Sequence, residues 1–413
     1  MNDERMIEPE EAWQRIAAQV RSLPPVEISL VDLAGHVLAE EVVAEEDVPP
    51  FPAATVDGWA VVAADSSPRR LILEGKGTAG VMPTVQVTVG TAARVMTGAP
   101  LPPGADGVVM VEDSTEEEGW IRFSRSIRPG DGVRPAGSDL AAGQVVLSPG
   151  TVMGPAEVGL MATVGRVAAR VYPRPRVAVF STGDELVEPG DRPEPGQICD
   201  SNRYALLAAI RQAGGEPISL GIAPDDEEGQ RALLLRALEQ ADALVTSGGV
   251  SIGTRDLIGP LLAQLGTVHF HRVRQKPGKP FTFATVGGKP CFGLPGNPVS
   301  SLVTFELYVR PALRLMAGHR LLWRPKVEAK LRHPVKHDPV RIEFQRAIVE
   351  QEEGEWRART TGSQASSRLL SMVGANALLR LSAGPLLPAG ATVTAILTGQ
   401  PECTFSDSSP QNS

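Results

Sequence analysis

Val177-Ala-Val-Phe-Ser-Thr-Gly-Asp-Glu-Leu186 is a short apolar run that breaks into a polar, glycine-containing loop. Downstream, a helical pattern spans Asn202 to Ala213, a second apolar run Pro217-Ile-Ser-Leu220, a second helical pattern Glu227 to Gln240, and a third apolar run Ala243-Leu-Val-Thr246. Apolar strands alternating with helices of this length predict a parallel sheet covered on both faces, a three-layer α/β/α domain. Ligands of such sheets bind at the carboxyl ends of the strands. Three polar loops are expected there and on one crevice: Ser181-Thr-Gly-Asp-Glu-Leu186, Thr246-Ser-Gly-Gly-Val-Ser251 and Gly293-Leu-Pro-Gly-Asn297.

Next to these strands the charge changes sign. Leu257 to Phe305 contains no Asp or Glu, in a chain with 48 of them, yet holds Arg272, Arg274, Lys276, Lys279 and Lys289. Within it, Lys276-Pro-Gly-Lys-Pro280 and Gly293-Leu-Pro-Gly-Asn-Pro-Val-Ser300 combine prolines that fix φ with glycines that open positive φ, so little side-chain bulk lies over the backbone amides. Such loops suit an anion. The formal net charge is -8, so a local cationic site points to a small phosphate or oxyanion, whereas nucleic-acid binding would call for a broad basic surface.

The 413 residues exceed what one core usually supports, and roughly two to four domains are expected. Hydrophobic content of 42% and charged content of 21% are those of a globular protein, and no run approaches the roughly 18 apolar residues of a membrane span. The acidic start, Met1-Asn-Asp-Glu-Arg5, lacks the apolar stretch of a secretory signal, so a cytoplasmic location is expected. Cys199, Cys291 and Cys403 lie far apart, suggesting neither disulfides nor a thiolate zinc site.

Further out, Pro9 opens an amphipathic helix over Glu10 to Val20. Short alternating segments such as Val85-Gln-Val-Thr-Val89 and Trp120-Ile-Arg-Phe123 predict a β-rich domain over 49–139. An α+β domain is assembled from 1–48 and 140–173, and the linker Tyr172-Pro-Arg-Pro-Arg176 holds the chain extended before the α/β domain, 174–320. Period-two runs such as Val327-Glu-Ala-Lys-Leu331 and Ala391-Thr-Val-Thr-Ala-Ile396 predict a small β-barrel over 325–400, and 401–413 reads as a disordered tail. The fold class is thus α/β and β multidomain.

Gly75-Lys-Gly-Thr-Ala-Gly80 spells the dinucleotide fingerprint, but Pro83 and alternating Val85, Val87 and Val89 predict a strand where the motif needs a helix, so it reads as a β-turn. Asp184, Glu185 and Asp256 sit at strand ends facing the cationic island, the arrangement that holds Mg²⁺ against a phosphate. Asp225 and Asp226 precede a helix, where capping and ligand contact weigh equally. Lys276 and Lys279 are two of only seven lysines, and a compact ammonium suits a crowded oxyanion. His269 and His271 share a strand face, but two histidines without a third ligand read as packing.

Ser-Thr-Gly-Asp-Glu-Leu at 181, Thr-Ser-Gly-Gly-Val-Ser-Ile-Gly-Thr-Arg-Asp at 246, Lys-Pro-Gly-Lys-Pro at 276 and Gly-Leu-Pro-Gly-Asn-Pro-Val-Ser at 293 resemble the molybdenum-cofactor synthesis domain. With Val-Asp-Gly-Trp-Ala-Val at 56, the run from Val95, Gly-Ser-Asp-Leu at 137 and the run from Ser366, the chain resembles the molybdopterin molybdenumtransferases of the gephyrin E-domain type. Trp59 stands where Tyr is more usual. The resemblance implies an elongated homodimer that cleaves adenylylated molybdopterin with Mg²⁺, releases AMP and inserts molybdenum from molybdate.

By motif match, Asp184, Glu185, Asp256, Lys276 and Lys279 would be catalytic, and Glu185, Asp225, Asp226 and Asp256 would hold the metal. Thr182, Gly183, Ser247, Gly248, Gly249, Ser251, Pro295, Asn297, Ser300, Arg341 and Ser366 would bind substrate, as would Asp57, Thr97, Arg134 and Asp139 from a partner subunit. Contacts with the molybdopterin adenylyltransferase and recipient molybdoenzymes would follow; no nucleic-acid or membrane partner is expected. Tungstate matches molybdate in charge and nearly in size, so a tungsten-inserting homologue is one alternative. A protein-binding scaffold is the other, against which the intact carboxylates and lysines weigh.

Overall fold

The computed structural model describes residues 6–249 and 257–399 and divides into two compact units, Glu27–Val171 and a second made of Met1–Val26 with Tyr172–Ser413. Ser251 and Asp256, and the tail 401–413, lie outside the described residues.

In the larger unit the strand Arg176–Thr182 explains the layering. Val177 and Val179 point into one core with Leu206, Ile210, Phe292 and Val303, whereas Ala178 and Phe180 point into another with Leu234, Ala237, Ile258 and Leu261. A period of two in an apolar run buried on both faces requires helices on both faces. Asn202–Gln212 and Pro298–Thr304 cover one side, and Glu227–Gln240 and Ile258–Leu265 the other.

The sheet runs Glu216–Ala223, Arg176–Thr182, Ala243–Ser247, Lys289–Leu294, Pro280–Val286, Thr267–Arg272. The first four strands are parallel; the last two join antiparallel, so the sheet is mixed at one edge. The cause is local: Gly287 and Gly288, both at positive φ, close a two-residue hairpin between Val286 and Lys289. Phe270, Phe281, Phe283 and Phe292 stack under this edge with ring centroids 5.2–5.8 Å apart.

The C-terminal strands close into a barrel. Ile342–Glu352 pairs with Ala377–Leu381 along its first half and with Glu355–Thr360 along its second; Lys326–Leu331 and Thr392–Leu397 complete the circuit. Its core is Ala329, Leu331, Ala347, Val349, Leu379 and neighbours. A two-residue strand, Gln275–Lys276, adds in parallel to Ile342 and Glu343.

The smaller unit has a six-stranded sheet ordered Gly107–Met110, Gly58–Val61, Thr91–Val95, Arg70–Gly77, Trp120–Phe123, Ser114–Glu117, with Trp59 and Val61 buried on one face and Ala60 on the other. The helix Pro155–Thr163 packs Met161 against Leu33, Leu38 and Val171.

Three expectations change. Val85–Val89 forms no strand: only Val87 is buried, its N–H bonded to the Pro103 carbonyl at 2.9 Å, so the alternation reflects one anchor in an extended loop. Gly75 and Gly77 lie at the end of Arg70–Gly77, where the register shifts, and the turn begins only at Thr78. The helix Pro9–Gln19 packs Ala12 and Ile16 into the α/β core with Val273 and Tyr308, so residues 6–26 part from 27–48.

His319, just after the helix Arg310–Met316, faces Arg314, whose guanidinium lies 3.2 Å from Nδ1. Burial, then Arg314 and Arg310, push the imidazole down to about 4. A folded value below the unfolded one of 6.5 gives stability that is complete above about 6.5 and is lost as pH falls towards 4. Thermal unfolding at pH 7 and pH 5 is expected to show a larger drop for wild type than for His319→Gln; equal drops would contradict this.

Candidate functional site

The three strand-end loops meet. A cleft of about 750 Å³ is lined by Thr182, Gly183 and Glu185 from the first, Ser247, Gly248 and Gly249 from the second, and Pro295 to Pro298 from the third. Ser367 and Leu369 close it from the barrel side. At Gly183, φ is 144° and a Cβ would sit 2.4 Å from Glu185 Oε2, so only glycine lets that carboxylate fold back over the strand end.

Asp184 and Asp225 brace each other: the Asp184 N–H donates to Asp225 Oδ2 at 3.4 Å and the Asp225 N–H to Asp184 Oδ1 at 3.1 Å. Asp225 lines the cleft; Asp184 and Asp226 do not. Asp226 is the N-cap of Glu227–Gln240, its Oδ1 accepting from the Gly229 N–H at 2.7 Å, which accounts for this carboxylate as a cap rather than a cleft ligand.

In the wall of the cleft, Asp200 is buried, accepting from Ser181 Oγ at 3.0 Å and from Arg203 Nε at 2.9 Å; Arg203 continues to Ser219 and Glu188. Asn202 Nδ2 donates to Ser247 Oγ at 2.8 Å and to the Gly296 carbonyl at 2.6 Å, tying two loops together. Sequence reading passed over Asp200, Asn202 and Arg203. Their signal was Cys-Asp-Ser-Asn-Arg at 199, polar residues leading into an otherwise apolar helix.

A second cavity of about 620 Å³ adjoins the first, sharing Pro280, Asn297 and Ser367. Lys276, Lys279, Lys336 and Arg341 bring positive charge, and Ser300, Gln364 and Ser366 hydroxyl and amide groups. Lys336, another of the few lysines, was not foreseen. Two carboxylates order the cations: Lys276 Nζ lies 3.3 Å from Glu343 Oε1, Glu343 Oε2 accepts from the Asp338 N–H at 2.6 Å, and Asp338 Oδ2 accepts from Arg341 Nη2 at 2.6 Å. The Arg341 bonds hold the Asp338 carboxyl down to about 2.

The lysine loop is anchored from below. Buried Gln275 donates to the Pro277 carbonyl at 3.0 Å and accepts from the Tyr308 hydroxyl. Gly278 has φ 89°, and a Cβ there would sit 2.3 Å from Thr304 Oγ1 and 2.8 Å from Gln275 Nε2. The remaining expected residues lie in the unit 27–171. There Asp57 Oδ1 accepts from the Thr97 N–H at 2.7 Å and hydroxyl at 2.8 Å, and Arg134 pairs with Asp139 at 3.6 Å. His269 and His271 face Thr285 and Thr282. Among the described residues no three His, Cys, Asp or Glu side chains gather as a metal cage.

Residues 7–165 match the description "MoeA N-terminal region (domain I and II)", 178–315 "Probable molybdopterin binding domain" and 328–398 "MoeA C-terminal region (domain IV)". A molybdopterin molybdenumtransferase of Haemophilus influenzae is 35% identical, covering 86% of this chain and 89% of that protein. This chain belongs to the molybdopterin molybdenumtransferase family. Family membership extends to gephyrin of Dictyostelium discoideum, 36% identical over 90% of this chain, which spans 59% of gephyrin's length. The molybdopterin biosynthesis MoeA protein from Pyrococcus horikosii shares the fold at TM-score 0.84 and 34% identity, covering 96% of this chain and 100% of that one. In this transferase family member no helix among the described residues is long and apolar enough to cross a membrane.

Gly278→Ala would place a methyl against two buried side chains at a positive φ. It is expected to destabilise the fold by about 2 kcal/mol and to weaken oxyanion binding, read by urea denaturation and by molybdate titration. Wild-type behaviour in both would show that the loop tolerates the change.

Proposed function

We propose that this chain inserts molybdenum from molybdate into adenylylated molybdopterin, cleaving the phosphoanhydride and releasing AMP. The observation that carries the reading is the pair of joined cavities: one polar and carboxylate-bearing, the other cationic and rich in hydroxyls, with Pro280, Asn297 and Ser367 as their common wall. An anhydride in the first and a tetrahedral dianion in the second would lie side by side, both anionic, and their mutual repulsion is the electrostatic obstacle. Lys276, Lys279, Lys336 and Arg341 would offset that repulsion, with Lys276 and Arg341 already ordered by Glu343 and Asp338 rather than recruited on binding.

The donor set of the first cavity fits Mg²⁺. Glu185 and Asp225 offer hard carboxylate oxygens, and this ion commonly takes only one or two carboxylates and completes its shell with water and substrate phosphates. Bound there, Mg²⁺ would neutralise phosphate charge as a Lewis acid. Asn202 and Ser247 would orient the phosphate side of the substrate, and the apolar rim of Leu186, Ile198 and Leu369 would limit water. A homodimeric assembly belongs to the same proposal.

AMP release from adenylylated molybdopterin with Mg²⁺ is expected to depend on molybdate and to fall at least about hundredfold in Glu185→Ala. No molybdate-dependent release from folded wild-type protein would overturn the reading.

A further inference from the structure

After half-buried Ile342, the strand Ile342–Glu352 has five consecutive buried residues, Glu343, Phe344, Gln345, Arg346 and Ala347, of which three are polar. Glu343 and Gln345 share one face and line the cationic cavity, Glu343 holding Lys276 and Gln345 donating to the Lys336 carbonyl at 2.8 Å. Arg346 points the other way. At 1% exposure it is among the largest fully buried side chains described, and no carboxylate among the described residues lies within ion-pair distance of it.

Its partners all belong to the segment 361–371. Arg346 Nε donates to Ser371 Oγ at 3.1 Å, and Nη2 to the carbonyls of Ala365 at 3.2 Å and Ser363 at 3.4 Å. Its backbone adds to this: the N–H donates to Gln364 Oε1 at 2.9 Å, and the carbonyl accepts from Gln364 Nε2 at 3.2 Å and from the Thr361 N–H at 3.1 Å. Thr361 Oγ1 donates to the Ser371 carbonyl at 2.8 Å and pinches the ends of the segment. The guanidinium therefore fills the inside of a closed loop and ties together its Ser363, Ala365 and Ser371 acceptors, the Ala365 carbonyl also accepting from the Arg368 N–H at 3.2 Å. The outside of that loop is the functional face: Gln364 to Ser367 line the cationic cavity, Ser367 and Leu369 the larger cleft, and the Ser366 carbonyl accepts from the Val299 N–H at 3.1 Å.

We propose that Arg346 is a positioning residue for the oxyanion half of the cleft, setting from beneath the loop where Ser366 and Ser367 stand against Lys276, Lys279 and Arg341. This rests on the reading of the cationic cavity as the molybdate pocket. Arg346 touches neither cavity; it acts through the loop. A largely exposed loop is held on its inner side by a buried guanidinium that donates to three of its acceptors, so losing that donor frees each of them to turn towards solvent. Removing the guanidinium is therefore expected to release the loop selectively, leaving the ladder around it intact.

The test uses the full chain carrying Arg346→Met and Arg346→Lys, with Ser371→Ala as a second route to the same contact should Arg346→Met fail to fold. Two readouts are taken: amide hydrogen exchange of 361–371 against 377–381, and isothermal titration with molybdate. Expected for Arg346→Met are faster exchange confined to 361–371 and a molybdate Kd raised about tenfold or more; Arg346→Lys should recover part of the affinity. Wild type that binds no molybdate would refute the pocket assignment itself. Wild type that binds, with folded variants of unchanged loop exchange and unchanged Kd, would overturn the role of Arg346 alone. Slowed turnover with both KM for adenylylated molybdopterin and Kd for molybdate unchanged would likewise count against it.

Discussion

The parallel pairing of Gln275 and Lys276 with Ile342 and Glu343 is the constraint on which the cationic cavity depends. It is only two residues long, yet it brings the lysine loop of the α/β domain against the strand that carries the barrel's polar residues. Without that register Lys276 would not meet Glu343, and Arg341, held by Asp338 on the same turn, would have no fixed relation to either lysine. Gln275, bonded to Tyr308 and to the Pro277 carbonyl, secures the short strand from the helical side. The pocket is thus built at a seam, with each wall supplied by a different core.

A carboxylate inside the proposed oxyanion pocket looks counterproductive until the geometry is considered. Four cations crowded together repel one another and would splay into solvent; Glu343 and Asp338 hold two of them in place and reduce the excess charge to a level suited to a dianion. The attraction lost is modest, because the lysines are partly exposed and screened, whereas the ordering gained is kept for every binding event.

Much of this arrangement was legible in the residues. Glu227–Gln240 begins and ends where the pattern placed it, since Asp226 caps it, and the loops after Thr182 and Ser247 converge because parallel strands put all their carboxyl ends on one side. What escaped was long-range. Val85–Val89 alternates like a strand, but period two marks any extended chain with one buried side, and whether a ladder partner exists is decided elsewhere. Glu343 and Arg346 carry no local mark of their roles, because their partners, Lys276 and the segment 361–371, lie far from them along the chain. The antiparallel edge at Pro280–Val286 could have been read from Gly287-Gly288, a turn signal that the alternating strand–helix pattern overshadowed.

The barrel closes only when Ala377–Leu381 and Thr392–Leu397 have both taken their places beside Ile342–Glu352 and Lys326–Leu331. During synthesis the α/β domain, with its carboxylates and lysines, leaves the ribosome well before those strands. The nascent chain therefore holds half a pocket, Lys276 and Lys279 without the barrel residues fixed beside them, until Thr392–Leu397 has been added. The cationic cavity is thus complete only once the barrel has closed.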